Sequence, residues 1–332
     1  MIRDFELRDI PVLHRYRNRG LFLDSVRTLT WGTGLVPVGA LFSYLAPATG
    51  VFTSICKTKK DPGNPLVGQV VHTLGSTYAR FSFLAPEIAI DSPALPELLE
   101  ALVKRVAVRG AHNLVAEVDE SSQIFEALRK SGFSVYARQR VWKINNMGSP
   151  NGTHTPWRAI NPHDEFGIHK LYNELVPGLV QQVEPVPWEH MGGQVYYKAD
   201  TLLAFVEMAH GPGGIWVQPF MHPETEDVTS RLTDLLQNLQ PLFARPVYIV
   251  VRSYQAWLEH ALENLGAEVG PSQAVMVKRM AITQKAVRKM SIPALESGAA
   301  ETTSPIVTPP AGHGNNGSTL ITYDKKADNR RS

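Results

Sequence analysis

Residues 78–110 read YARFSFLAPEIAIDSPALPELLEALVKRVAVRG and contain a strand-to-helix transition around which the chain is organised. The first part is rich in aromatic and apolar residues and ends in Pro-Glu at positions 86–87, which is typical of a strand followed by a turn. Further on, apolar residues recur three and four positions apart, as at Leu95, Leu98 and Leu102. That spacing indicates a helix with one buried face. We therefore predict a strand, a loop and an amphipathic helix, in that order.

The same transition occurs a second time, at residues 213–244, which read GGIWVQPFMHPETEDVTSRLTDLLQNLQPLFA. Before the transition, each copy has patterns for a strand, a helix and two strands. After it, each copy has a short apolar strand, a second helix that ends at Gly132 or Gly266, and a last strand. Glycine suits the left-handed position that follows a helix. The sequence thus predicts two units with the same order of elements.

The boundaries of these units follow from composition. We predict a first domain at residues 1–144, a linker at 145–156, a second domain at 157–282 and a disordered tail at 283–332. The linker is rich in Asn, Gly, Ser, Thr and Pro. In the tail, apolar periodicity has stopped by about residue 291, so this segment cannot bury enough apolar surface to offset the entropy of ordering it.

Composition excludes several classes of protein. The formal net charge of +2 gives no electrostatic basis for a nucleic-acid or membrane partner. The one cysteine, Cys56, excludes an intrachain disulfide and a cysteine-based zinc site, and it fits a cytoplasmic protein. The charge-free run 28–56 is long enough for a membrane span, but Pro37 and Pro47 would break a single helix there, so no span is predicted.

The order of elements, together with the residues that end them, resembles the GNAT superfamily of N-acetyltransferases over about residues 1–144 and 157–280. The residues that carry the resemblance are Leu84-Ala85-Pro86-Glu87, Arg109-Gly110-Ala111, Lys130-Ser131-Gly132-Phe133, Met221-His222-Pro223-Glu224 and Asn264-Leu265-Gly266-Ala267. The resemblance implies an α/β fold with a mixed sheet (α+β) in two tandem domains. It also implies transfer of an acyl group from acyl-CoA to an amine.

The resemblance further implies where the cofactor would lie. In the family, the fourth and fifth strands splay apart, and the pantetheine of acetyl-CoA or another acyl-CoA binds backbone groups of the fourth strand. By position, those groups belong to Phe83 and Leu84 in the first unit and to Phe220 and Met221 in the second. No metal is implied.

Both units depart from the family at the loop that binds the cofactor's pyrophosphate. That loop is glycine-rich in the family, because glycine lets backbone N–H groups approach the phosphates. Here residues 87–97 contain no glycine, and Pro93 and Pro96 each lack an N–H. The second loop carries Glu226 and Asp227, acids that ordinarily stabilise the start of a helix. We therefore expect weak binding of acyl-CoA.

The proton-transfer groups of the family also have no clear equivalents. At the positions where the family often has a tyrosine acid, the sequence has Leu128 and Leu262. The fourth strand of the first unit offers only Arg80 and Ser82, and arginine is a poor base. The catalytic residues are accordingly unknown.

Other candidate residues are better explained by structure than by chemistry. Glu207 and His210 lie three apart on a predicted strand, so they would face opposite sides, and we interpret both as lying at the rim of the core. Trp216 and Phe220 are interpreted as packing residues of the sheet. The histidines near the start of the second unit match no metal-binding spacing.

Three roles remain open, the last of them a structural role in which one unit stabilises the other. The first is an acyl-CoA-dependent N-acyltransferase of an unknown amine substrate, with activity weakened or lost. The second is a non-catalytic tandem module that binds a small metabolite or a protein partner. Fold resemblance alone does not decide between them, because function depends on the site.

Overall fold

The computed structural model describes residues 2–34, 50–57, 64–145, 156–186, 192–239 and 245–280. The predicted tail at 283–332 and all but the ends of the predicted linker lie outside these residues. Met1–Thr283 forms one compact unit. None of the helices in the described ranges is long and apolar enough to cross a membrane.

The described residues contain thirteen strands and eight α-helices. The strands are β1 (Ile2–Asp4), β2 (Leu21–Phe22), β3 (Val51–Cys56), β4 (Leu66–Val71), β5 (Tyr78–Ala85), β6 (Asn113–Asp119), β7 (Ser134–Ile144), β8 (Trp157–Ala159), β9 (Gly192–Lys198), β10 (Thr201–Gly211), β11 (Gly214–Met221), β12 (Val247–Arg252) and β13 (Glu268–Arg279). The helices are α1 (Ile10–Tyr16), α2 (Ser25–Trp31), α3 (Leu95–Ala107), α4 (Gln123–Lys130), α5 (Glu165–Leu175), α6 (Gly178–Gln181), α7 (Val228–Leu239) and α8 (Leu258–Asn264). The predicted order of elements is thus present in both halves, with β2, α2 and α6 as additions.

All of these strands belong to one mixed sheet, with the order β1-β3-β4-β5-β6-β13-β7-β12-β11-β10-β9-β8, and β2 pairs with β5. Counted inward from its own edge of the sheet, each half places its strands in the same order. In each half the fourth and fifth strands, β5–β6 and β11–β12, are parallel, whereas their other neighbours pair antiparallel. The two halves therefore repeat one arrangement across the centre of the sheet.

The last strand of each half crosses into the other half. β7 of the first half pairs with β12 of the second, from Ile144 opposite Val247 to Gln139 opposite Arg252. β13 of the second half pairs with β6 of the first over the whole length of β6. β7 and β13 also pair with each other at the centre. Neither predicted domain therefore completes its sheet with its own last strand.

The repeat extends to individual side chains at the start of each half. Arg3 donates two hydrogen bonds of 2.6 Å to the carboxylate of Asp9. Arg158 donates equivalent bonds of 2.7 and 2.6 Å to Asp164. Both carboxylates also accept a backbone N–H three residues earlier, which closes the turn ahead of the first helix. Paired arginine–carboxylate bonds of this kind fix geometry as well as charge.

Helices cover both faces of the sheet. α3 and α4 bury one face of the first half, and α7 and α8 bury the same face of the second half. On the opposite face, α1 packs on the first half, and α5 and α6 pack near the centre. α2 belongs to the first half but packs on β10 and β11 of the second, where Gly213 N donates to Thr30 O at 2.6 Å. This face carries the polar residues described next.

Candidate functional site

The fourth and fifth strands of the first half separate as the family resemblance implies. β5 and β6 pair in parallel only from Tyr78 opposite Asn113 to Arg80 opposite Val115. Beyond Arg80 the two strands are not paired with each other. The gap that opens there corresponds to the predicted pantetheine cleft.

In the first half, this cleft is filled by the chain itself. Leu21 pairs with Leu84, and Phe22 pairs with Phe83, so the backbone of β2 lies against the predicted cofactor-binding residues of β5. The approach is close: a Cβ on Gly20 would lie 2.2 Å from a ring carbon of Phe83. The main-chain partners predicted for the cofactor are therefore engaged by β2.

Two further backbone bonds join this segment to both sides of the gap. Leu23 N donates to Ser82 O at 3.1 Å, and Glu117 N donates to Leu23 O at 2.9 Å. The segment thus bridges β5 and β6 as an additional strand would. Near the start of the predicted phosphate loop, Glu87 N donates to Arg19 O at 2.9 Å.

The cleft of the second half is closed by one side chain. β11 and β12 pair in parallel only from Ile215 to Val217 of β11. Past that point, the buried amide of Gln255 accepts from Met221 N and donates to Pro219 O, both at 2.9 Å. Met221 is a predicted cofactor-binding residue. Its neighbour Phe220 stacks on Phe205 with ring centroids 4.5 Å apart, as expected for a packing residue.

The acids of the second phosphate loop have partners within the protein. Asp227 accepts from Ser230 N at 3.3 Å, which caps the start of α7 and lowers the pKa of the carboxyl group. Glu226 pairs with Lys198 at 2.7 Å, which lowers the pKa of Glu226 as well. The contact of Asp227 fits the helix-stabilising role predicted for the acids, whereas Glu226 is bound to β9 and not to the helix.

A set of charged and tyrosyl side chains lies near the sheet centre, on the face covered by α2, α5 and α6. We call it the central polar cluster, and its members are Asp24, Tyr78, Arg80, Glu117, Tyr136, Tyr172, Glu184, Glu207, Arg252 and Tyr254. It draws on both halves, and each of its arginines interacts electrostatically with Glu184. Buried charges of this kind need partners, because isolated charges are expensive to remove from water.

One end of the cluster is an ion pair of the first half. Arg80 donates to Glu117 at 3.2 Å and lies 4.0 Å from Asp24. It also lies over the ring of Tyr78 at 5.4 Å. Burial raises the pKa of Asp24 despite the nearby arginine. Glu117 in addition accepts from Ser25 N at 2.8 Å, which ties it to the start of α2.

The other end is a buried pair of the second half. Arg252 Nη2 lies 2.9 Å from both carboxylate oxygens of Glu184. Tyr136 donates its hydroxyl to the same carboxylate at 2.5 Å. Burial alone would raise the pKa of Glu184, but Arg252, Arg80 and the hydroxyl of Tyr136 together outweigh burial and hold that pKa below its ordinary value. Nε and Nη1 of Arg252 make no hydrogen bond among the described residues.

Glu207 lies between these two pairs without an ion-pair partner of its own in the described part of the chain. Burial raises its pKa to about 7, against the influence of Arg80 and Arg252. Part of its side chain nevertheless remains accessible, as do parts of Tyr78 and Tyr254. Glu207 is therefore half-buried, in agreement with the predicted position at the rim of the core, but its charged neighbours were not predicted. Periodicity separated it from His210, which is exposed, but could not show which strands surround it.

The remaining predicted positions contribute no chemistry to this cluster. Leu128 and Leu262 are fully buried core residues, and their hydrocarbon side chains have no proton to transfer. Trp216 is also buried, within β11. Among the described residues there is no group of three His, Cys, Asp or Glu side chains that could hold a metal ion.

Comparison with known proteins identifies the fold. A GCN5-related N-acetyltransferase from Sphaerobacter thermophilus matches with a TM-score of 0.52 and 13% identity, over 85% of this chain and 96% of that one. A tandem GNAT protein from the clavulanic acid biosynthesis pathway matches with a TM-score of 0.48 and 14% identity, over 85% and 99% of the two chains. A GNAT-family acetyltransferase from Colwellia psychrerythraea matches with a TM-score of 0.42 and 13% identity, over 84% and 100%. No protein-family model and no curated protein matches the sequence.

The chain therefore has the GNAT fold, as the sequence predicts, in an arrangement that spans both halves. At 13% identity the likeness concerns the fold and not the reaction.

Proposed function

We propose that this protein binds a small amine at the central polar cluster, in a GNAT fold whose first half no longer binds acyl-CoA. The observation that carries the proposal is Glu207, a desolvated but partly accessible carboxyl group with no ion-pair partner among the described residues. A desolvated ionisable group among charged neighbours is a candidate for a functional site.

The charge balance of the cluster supports a cationic ligand. Its described members include two guanidinium groups, Arg80 and Arg252, and four carboxyl groups, Asp24, Glu117, Glu184 and Glu207. Burial raises the pKa of both Asp24 and Glu207, and the neighbouring carboxylates of Glu117 and Glu184, respectively, raise them further. An ammonium group would supply the missing positive charge without protonation of a carboxylate.

The accessible tyrosines support the same class of ligand. Tyr78 and Tyr254 interact electrostatically with Glu207, and burial raises the pKa of each phenol, so both remain neutral. A neutral aromatic ring attracts a cation placed over its face. The cluster thus combines a carboxylate and aromatic rings, the groups that recognise an ammonium ion.

The state of the two clefts argues against ordinary acyl-CoA binding. In the first half, β2 engages the backbone of Phe83 and Leu84. In the second half, Gln255 engages Met221. A cofactor would have to displace these bonds and would find no glycine-rich loop for its phosphates. We therefore expect acetyl-CoA to bind far more weakly here than an acyl-CoA cofactor binds to an active acyltransferase.

A second candidate function, N-acyltransferase activity confined to the second half, is favoured by one specific observation. Glu207 on β10 lies directly opposite Gln218 on β11. The residues that follow Gln218 on β11 are those that would bind pantetheine. A carboxyl group with a pKa near 7 is well matched to accept a proton from an ammonium substrate at neutral pH. Gln255 is a single side chain and is more easily displaced than a strand. These features would serve acyl transfer if the cofactor enters.

The amine proposal is tested by calorimetric titration of the full chain with phenethylamine and with its neutral isostere, 2-phenylethanol. We expect phenethylamine to bind and the alcohol to bind at least about tenfold more weakly, because only the amine is charged. Glu207→Gln should abolish this preference. The matched control, Glu224→Gln, alters an exposed carboxylate and should leave it unchanged. Equal binding of the two compounds, or a preference that survives Glu207→Gln, contradicts the proposal.

Acetyl-CoA separates the two candidates. On the amine-binding proposal, acetyl-CoA gives no low-micromolar binding, and a mixture of acetyl-CoA and amine releases no thiol. Release of coenzyme A thiol that requires Glu207 would instead establish the transferase. In that case Gln255→Ala should strengthen acetyl-CoA binding, because it frees Met221 N and Pro219 O for pantetheine.

A further inference from the structure

A cavity of about 330 Å³ lies where α2 of the first half faces the exchanged strands at the centre of the sheet. Its walls include Phe22, Leu29, Val141 and Tyr248, and Lys143 and Glu268 also line it. The volume of the cavity and its apolar lining fall within the range of small-molecule sites. The cavity draws on both halves, and Glu207, on which the function proposed above rests, does not line it.

The polar part of the cavity has unused hydrogen-bonding capacity. Ser25 is 92% buried, since 8% of its surface is exposed, yet its hydroxyl makes no hydrogen bond among the described residues. Gln273 accepts from Gln139 Nε2 at 2.9 Å, and its own amide nitrogen has no partner there either. Buried polar groups are almost always paired, so the unpaired hydroxyl of Ser25, together with the amide of the partly exposed Gln273 in the same cavity lining, points to a ligand.

The charge of this polar part selects a neutral ligand. Glu117 lines the cavity, but Arg80 neutralises it at 3.2 Å and Ser25 N also binds it at 2.8 Å. An anion would face the carboxylates of Glu117 and Glu268, and Lys143 is 3.8 Å from Glu268. A cation could not accept from the donors of Ser25 and Gln273. A neutral group that both donates and accepts hydrogen bonds satisfies Ser25, Gln273 and Glu117.

The backbone around the cavity is adapted to leave it open. The pairing of β13 with β7 is interrupted between Val269 and Ser272, and the two residues in between, Gly270 and Pro271, line the cavity. Pro271 has no N–H to leave unpaired. A Cβ on Gly270 would lie 2.9 Å from Val141 O, so the two strands approach more closely than a side chain would allow. At this interruption, the backbone lines the cavity and does not form ladder hydrogen bonds between β13 and β7.

We infer that this cavity is a binding site for a small neutral molecule with an apolar ring and a primary amide or lactam head. The ring would lie among Phe22, Leu29 and Tyr248. The carbonyl of the head would accept from Ser25 Oγ and Gln273 Nε2, and its N–H would donate to Glu117. This site shares Glu117 with the central polar cluster but does not include Glu207, so the inference does not depend on the amine proposal.

The test uses benzamide, the isosteric anion benzoate and the full chain, with affinities measured by protein-observed NMR titration. Benzamide should bind with a dissociation constant on the order of 1 mM, as expected for so small a ligand, and benzoate at least about tenfold more weakly. Ser25→Ala should weaken benzamide about fivefold, because one hydrogen bond is lost. Ser134→Ala, which changes an exposed serine, is the control and should have no effect.

Val141→Phe should fill the cavity and abolish benzamide binding, and Thr28→Phe serves the same purpose if the first variant does not fold. Phenethylamine should not compete with benzamide, and Glu207→Gln should leave benzamide binding unchanged, so this site can fail independently of the amine site. Absence of benzamide binding, equal affinity for benzoate, or binding that survives a folded cavity-filling variant overturns the inference.

Discussion

Glu207 shows how a single carboxyl group can couple stability to pH. Its pKa is raised from its ordinary value near 4.5 to about 7 by burial, so the folded state holds a proton that the unfolded state has released. Its contribution to stability is therefore complete below about pH 4.5 and is lost as pH rises through 7. The shift corresponds to at most about 3 kcal/mol at 1.36 kcal/mol per pKa unit.

Glu207→Gln should remove this pH dependence, because glutamine cannot ionise. We expect the variant to gain stability over the native chain as pH rises from 5 to 8, by up to about 3 kcal/mol in urea unfolding. The comparison is made between the two proteins at each pH, so that other titrating groups cancel. A difference that stays constant with pH would show that Glu207 is ionised throughout.

Asp164 illustrates the opposite case. The two hydrogen bonds from Arg158 lower its pKa to about 2, so its contribution is present above about pH 3.8 and is lost as pH falls towards 2. Asp164→Asn should cost roughly 2 kcal/mol at pH 7, because a buried partner of an arginine is removed. Asp234→Asn, at a partly exposed ion pair, should cost less than about 1 kcal/mol. Equal losses in urea unfolding would contradict the role assigned to Asp164.

Residues that act locally could be predicted from the sequence, and residues that act at long range could not. The helix-start role predicted for Asp227 depends on neighbouring residues and agrees with the structure, whereas Glu226 pairs with the distant Lys198. The central polar cluster joins Arg80, Glu184 and Arg252 from three distant segments. No spacing in the sequence reports such a meeting.

At the scale of elements, the clefts between the fourth and fifth strands are closed by different means. The first half uses the backbone of β2, which supplies hydrogen bonds to both neighbouring strands. The second half uses Gln255 in the short turn after β12. The sequence does contain the signal for β2, the apolar run Leu21-Phe22-Leu23 after a glycine. A run of three residues is too short to identify as a strand by periodicity.

Gln255→Leu tests whether the second cleft depends on this side chain. Leucine has a similar size but leaves Met221 N and Pro219 O without partners, which should cost roughly 2–4 kcal/mol in urea unfolding. Gln123→Leu, at an exposed position at the start of α4, is the matched control and should change stability by less than about 0.5 kcal/mol. A neutral result for Gln255→Leu would mean that water reaches the cleft and satisfies these groups.

At the scale of the whole molecule, the exchange of β7 and β13 turns two repeated halves into one sheet. The sequence predicts the two last strands but not their exchange, because each strand has the composition to fit beside either half. The choice is made by contacts across more than a hundred residues, such as Gln273 with Asp119 and Ile144 with Val247. Local pattern therefore specifies the parts, and long-range pairing specifies how they are shared.

The exchange predicts that the halves stay together when the chain between them is cut. A protease site inserted between residues 146 and 155 would allow cleavage after folding. Each fragment then still contributes its last strand to the sheet of the other, with β7 between β12 and β13, and β13 between β6 and β7. To separate, the fragments would have to break these backbone ladders, which are buried at the centre of the sheet and would leave unpaired N–H and C=O groups.

We therefore expect the cleaved protein to elute in gel filtration at the mass of the intact chain and to dissociate only in denaturant. For the same reason, the uncleaved chain should unfold in a single transition, with coincident midpoints by tryptophan fluorescence and circular dichroism. A sample cut within residues 284–332 is the control for cleavage itself. Fragments that separate under native conditions, or two resolved unfolding transitions, would mean that each half completes its own sheet and that the exchanged order is wrong.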